Sequence, residues 1–138
     1  MPLVTLSFLL TLSMILRDSG SLYLITLQIA PLTGSLFPII SPFIGMLGTF
    51  LTGSNQSSNI LFGDLQSQIA SHLAINNIVI IALHSLSSGL NSAIAPAKIL
   101  LGTTALNISG TENQVLKKTL PFCIIITLLL GIIGYILK

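Results

Sequence analysis

From Thr119 to Leu137 nineteen residues pass without a charged side chain, about 28 Å as a helix and enough to cross the hydrocarbon core of a bilayer. The remainder of the chain offers that run no soluble home. Charged residues are 6% of the 138, five basic and three acidic, against roughly 25% in soluble globular proteins. Arg17, Asp18, Asp64, Lys98, Glu112, Lys117, Lys118 and Lys138 cannot solvate a domain surface of this size. Hydrophobic residues make up 52%, which excludes disorder. The reading is an all-α membrane protein forming one membrane domain over residues 1–138. The net charge of +2 is a topology signal and not a nucleic-acid footprint, since no basic patch accompanies it. Lys117 and Lys118 precede the last span and Lys138 alone follows it, which places Lys117 in the cytoplasm and the C-terminus outside.

Breakers divide the rest. Residues 3–16 form an apolar helix that stops at Arg17-Asp18-Ser19-Gly20, where the two charges are expected to neutralise each other at an interface. It is shorter than a span and begins at the first residue without a basic leader or cleavage site, so part of a longer protein is expected to be missing. Residues 21–33 form a second short helix closed by Pro31 and Gly34. Residues 35–73 read as a re-entrant hairpin. Its descending limb, Phe37 to Leu51, is broken by Pro38, Pro42, Gly45 and Gly48. Its tip, Thr52 to Asn59, has no apolar side chain, and its returning limb carries Leu61, Leu65, Ile69 and Leu73 every four residues. Residues 75–105 read as a broken helix, interrupted over Ser85 to Ser92 and again at Pro96. Gly102 to Gln114 is a polar loop, and 119–137 is a transmembrane helix. Cys123 is the only cysteine, so no disulfide is available and it reads as a small hydrophobe.

A polar hairpin tip close in sequence to a broken helix is equipped to hold an anion. Helix ends at Ser54 to Asn59 and Ser87 to Ser92 would aim free N–H groups and positive dipole ends at one point, so that a carboxylate needs no full counter-charge. Asn and Ser side chains add donors for the carboxylate and both donors and acceptors for a hydroxyl. A small hydroxy acid suits them. The alternative is that Ser and Asn bond helix to helix; six such residues in a row favour binding, because bonding positions are spaced by a helical turn.

The run Ser41-Pro-Phe-Ile-Gly-Met-Leu-Gly-Thr-Phe-Leu-Thr-Gly-Ser-Asn-Gln-Ser-Ser-Asn59, with Leu61-Phe62, Leu65-Gln66, Ile94-Ala-Pro-Ala-Lys-Ile99 and Leu116-Lys-Lys-Thr-Leu120, resembles the lactate permease family. The likeness is collinear over nearly the whole chain and covers the C-terminal part of a longer permease. It implies uptake of L-lactate, and of D-lactate and glycolate, with protons across the bacterial cell inner membrane, without a cofactor and without enzymatic chemistry. It further implies one half of an inverted-repeat ion-transporter-like fold, completed by the N-terminal part of the permease or by another copy. In the broader ion-transporter superfamily each hairpin carries a Ser-Asn-Thr substrate motif, which maps to Ser54, Asn55 and Gln56, with glutamine in place of threonine.

Together these readings place the substrate at Gly53, Ser54, Asn55, Gln56 and Asn59 of the tip and at Ser88 and Asn91 of the broken helix. Lys98 is either a counter-ion for the carboxylate or a side chain snorkelling to the interface. Asp64, the only acid well inside an apolar-flanked segment, is the candidate for the coupling proton. His72 and His84 match no metal-ligand spacing; His84 reads as a proton relay or as a helix-packing histidine. Glu112 reads as solvated. Two other functions compete: a truncated or split product that only assembles with a partner, and an intramembrane hydrolase using Ser54 and His84. The second is weak, because Gly53-Ser54-Asn55 lacks the glycine after the serine and no acid orients the histidine.

Overall fold

The computed structural model describes residues 2–138, with side chains from Val4 onward; Met1 lies outside the described residues. The described chain is all-helical. In order come α1 (Pro2–Asp18), α2 (Ser21–Thr33), α3 (Phe37–Thr52), α4 (Asn55–His72), α5 (Asn77–Leu90), α6 (Pro96–Ala105) and α7 (Glu112–Leu137). Short 3-10 turns join α2 to α3 at Gly34–Leu36 and extend α5 at Asn91–Ile94. Three stretches are long and apolar enough to cross a membrane: Ser21–Thr52, Asn77–Ile94 and Glu112–Leu137.

Helix α3 is the shared partner: α4, α5 and α7 all pack on it, while α1 and α2 lie against α4. Lipid tails are as apolar as leucine, so close packing and interhelical hydrogen bonds hold such helices together. Two glycines make the closeness possible. A Cβ on Gly45 would stand 2.5 Å from the His84 carbonyl oxygen, and one on Gly131 would stand 2.7 Å from that of Ile39. At both places backbone lies directly on backbone. In contrast, Phe122, Ile125, Leu129, Ile133 and Ile136 on α7 are exposed, the apolar surface a bilayer would cover.

Where the structure departs from the sequence reading, local chemistry gives the reason. The polar run 52–59 is mostly helix: Gly53 closes α3 in the left-handed conformation at φ 73°, and the Ser54 hydroxyl then caps α4 by accepting the Ser57 N–H. Only those two residues lie between the helices. Likewise Ser85, Ser87 and Ser88 stay within α5, because hydroxyls that bond across to a neighbouring helix, Ser85 to α4 and Ser87 and Ser88 to α3, leave the helical ladder intact. The chain breaks at Ala95, extended at ψ 124°, as the residue before a proline is pushed to be. Helix α7 starts seven residues earlier than its uncharged run, at Glu112, where an acid in the first turn suits the dipole. Glu112 is also bonded and not merely solvated, accepting from the Thr103 hydroxyl at 2.7 Å and the Gly110 N–H at 3.0 Å.

Candidate functional site

The turn between α3 and α4 and the break after α5 lie side by side. A Cβ on Gly89 would meet Asn55 Nδ2 at 3.7 Å, and one on Gly53 would meet the Ala97 methyl at 3.9 Å. The start of α4 thus borders the last turn of α5, and the turn just before it borders the first turn of α6. Asn59 continues the contact, donating to Ser85 Oγ at 3.2 Å. The Asn55 side-chain oxygen is buried here with no hydrogen-bond partner, as are the Thr49 hydroxyl in the last turn of α3 and the Asn91 oxygen just after α5. Such orphans are uncommon and call for an explanation.

Below the corner a buried polar network ties α3, α4 and α5 together. Ser87 donates to the Pro42 carbonyl, and Ser88 donates to that of Gly45 at 2.9 Å. Ser58 bonds Ser88 Oγ at 2.9 Å and His84 Nε2 at 3.3 Å. On the far side of the ring, Gln66 Nε2 lies 2.7 Å from His84 Nδ1 and donates to the Ser41 carbonyl at 2.9 Å. Asn91 carries the network to the last helix, donating to Ser87 and, at 2.8 Å, to Thr127 Oγ1.

The sequence-derived candidates therefore separate. Gly53, Ser54, Asn55 and Asn59 gather at the corner, with Ser88 and Asn91 just below them. Gln56 is exposed and lines a cavity of about 230 Å³ with Thr5, Leu6, Thr52, Ser54 and Ser57. Lys98 is exposed on the first turn of α6, beside a second pocket with Ala93, Gly102 and Val115. Ser58, Gln66, Ser87 and Thr127 were missed as members of a network. A signal for the first three existed, because Ser58 and Gln66 on α4, His84 with Ser88 on α5, and Ser87 with Asn91 of the turn that extends it recur at multiples of four.

Asp64 stands apart. Its carboxylate meets Arg17 at 3.8 Å, with the two side chains 47% and 67% exposed. The expected pairing of Arg17 with Asp18 is thereby corrected: consecutive helical residues point about 100° apart, whereas a neighbouring helix can present a carboxylate head-on. An ion pair so exposed contributes little. Replacing Arg17 with glutamine is expected to change stability by about 1 kcal/mol or less, read as a melting shift in detergent. Among the described residues no three His, Cys, Asp or Glu side chains gather to hold a metal.

Helices this apolar, joined at a polar corner with unpartnered donors and acceptors inside it, define an all-helical membrane protein. The chain belongs to the L-lactate permease family, whose family model matches residues 1–138. It is 33% identical over 132 residues to the glycolate permease of Escherichia coli K12, covering 96% of this chain and 23% of that protein. The L-lactate permease of Salmonella typhi is 32% identical over 133 residues, covering 96% of the chain and 24% of the relative. That of Streptococcus iniae is 42% identical over 74 residues, 54% of the chain and 16% of the relative. The chain thus spans about a quarter of the length of the first two relatives. No solved structure matches it. Membership points to a transporter rather than an enzyme.

Proposed function

We propose that this chain serves as the C-terminal part of a multi-pass permease of the bacterial inner membrane that takes up L-lactate, D-lactate and glycolate together with protons. In this reading α3 and α4 form a re-entrant hairpin, α5 and α6 a broken helix, and the two make half of an inverted-repeat site completed by the rest of the permease or by another copy. The substrate sits in the corner, against Gly53, Ser54, Asn55, Asn59, Ser88 and Asn91, with Gln56 and Lys98 at its edges.

One observation carries the proposal: the orphaned Asn55 side-chain oxygen at the start of α4. A 2-hydroxy carboxylate brings both halves of what that corner lacks. Its hydroxyl can donate to Asn55 Oδ1, and its carboxylate can accept the N–H groups of Asn55 and Gln56 at the positive end of α4. Ser54 is already occupied in capping Ser57, so it orients the helix end. The similar proteins, a glycolate permease and an L-lactate permease, agree with a hydroxy acid.

In a complete permease carrying this segment, Asn55→Ala is expected to lower lactate uptake about tenfold at unchanged expression, the worth of one hydrogen bond of roughly 1.4 kcal/mol. Unaltered uptake would remove the tip from the site. If a complete permease carrying the unaltered segment moves no monocarboxylate, the alternative of a non-transporting piece that only assembles with a partner prevails.

A further inference from the structure

Within the buried network the backbone carbonyls have a fixed polarity, and that of Ser41 settles the side chains around His84. The Ser41 carbonyl can only accept. The Gln66 amide atom that lies 2.9 Å from it also lies 2.7 Å from His84 Nδ1. That atom is the nitrogen, because an amide oxygen there would face the carbonyl oxygen. A donor at Nδ1 leaves that ring nitrogen the acceptor's role, so the imidazole proton sits on Nε2 and is given to Ser58 Oγ at 3.3 Å. Ser58 then donates to Ser88 at 2.9 Å, and Ser88 to the Gly45 carbonyl at 2.9 Å. One neutral tautomer satisfies the line from end to end. It leaves the Gln66 side-chain oxygen buried and without a partner.

That oxygen is what a second protonation state would require. A proton gained at Nδ1 gives an imidazolium whose new N–H faces the Gln66 amino group, donor against donor. Turning the amide over presents Oε1 to Nδ1–H but sets it against the Ser41 carbonyl oxygen, acceptor against acceptor, so the amide must also draw away from α3. A bond that ties α4 to α3 is exchanged for one that ties α4 to the charged ring. We infer that His84 binds and releases the transported proton, and that the Gln66 amide is a two-position latch reporting its state to α3. This rests on the proton-coupled uptake proposed above.

The location suits coupling to an anion. Ser88 ends the line one residue before Gly89, which borders Asn55. A carboxylate in the corner and a proton on His84 therefore stabilise each other, and each favours binding of the other by the same factor. Other ionisable groups leave the ring alone. Helix α3 has none; on α4, Asp64 is paired with Arg17 and His72 is exposed. On α7, Glu112 is bonded to Thr103, Lys117, Lys118 and Tyr135 are exposed, and Cys123 is buried without a bond to the ring. The 3-10 turn after α5 carries no titratable side chain.

The test uses the complete permease in proteoliposomes. His84→Gln keeps a hydrogen-bonding amide but takes no proton. It is expected to retain lactate-for-lactate exchange while lactate-driven acidification of the lumen falls at least tenfold and the KM for lactate loses its dependence on pH. Acidification at the level of the unaltered permease would overturn the assignment, as would loss of pH dependence in Asp64→Asn but not in His84→Gln. A second measurement needs no substitution: 15N spectra of histidine-labelled permease should show His84 protonated on Nε2 and bare on Nδ1 at neutral pH. The opposite tautomer overturns the latch even if His84→Gln fails to fold. Absence of lactate uptake by the unaltered permease would instead defeat the function proposed above, and the tautomer would still decide the latch.

Discussion

A valine at Gly45 is expected to leave little folded protein in the membrane. The first added carbon already stands 2.5 Å from the His84 carbonyl oxygen and 3.2 Å from Ser88 Oγ, and backbone cannot rotate aside as a side chain can. Helix α3 cannot simply shift, because α7 also lies on its backbone, through Gly131 against Ile39. Separation of α3 from α5 would stretch the bonds from Ser87 and Ser88 to the α3 carbonyls, each worth about 0.6 kcal/mol between membrane helices. Added to an overpacking cost of about 1–3 kcal/mol, the loss approaches the lower end of total stability, about 5 kcal/mol. The measurement is the monodisperse fraction and melting temperature of detergent-solubilised protein. Gly63→Val is the control, since a Cβ on Gly63 meets nothing within 4 Å. Equal melting of the two variants would refute the close α3–α5 contact.

The second large effect is expected at Asn91, where the direction of hydrogen bonding can be tested as well as its presence. The fully buried amide uses its nitrogen three times, toward the Ser87 carbonyl, Ser87 Oγ and Thr127 Oγ1. Alanine deletes these bonds and should cost about 2–3 kcal/mol, as unsatisfied buried groups do. Aspartate is isosteric yet offers only acceptors when ionised, so it faces a carbonyl with no donor between them and adds a buried charge. Asn91→Asp should therefore melt below Asn91→Ala at neutral pH and recover partly in acid, where the carboxyl regains a proton to donate. If aspartate is tolerated better than alanine at neutral pH, the assigned donor is wrong.

How much of this was visible before the structure depends on range. The scarcity of charge announced the membrane, and the runs 52–59 and 85–92 announced where polar chemistry would gather, since composition survives any folding. Helix boundaries there were not legible. Whether Ser87 unwinds α5 or bonds Pro42 depends on how near α3 comes, and Gly45, 42 residues earlier, decides that. Gln66 sat next to Leu65 as one polar residue of an amphipathic helix, and nothing local said that Ser41 and His84 would flank it. Thr127 lay in the uncharged run 119–137, where nothing local marked it as a bonded residue. Arg17 was matched to its neighbour because sequence shows adjacency and not direction. Chemistry carried by residue type was readable; chemistry carried by which atoms meet was not.

The seams along α3 differ in kind, and the difference has a mechanical meaning. Toward α5 the contact is stitched by hydroxyls from Ser41, Ser87 and Ser88, each fixed on one carbonyl of the facing helix. Toward α7 it is bare backbone at Gly131, with the Thr127 contact to the Met46 sulfur at 3.5 Å as its polar link. A stitched seam resists lengthwise slip because every stitch must break together, whereas a smooth one lets a helix glide without any side chain changing its rotamer. Helices α3, α4 and α5 are therefore sewn into one body, while α7 is held to that body by closeness at Gly131 and Gly134 and by one buried bond from Asn91 to Thr127, so that this single bond is the pin of the seam.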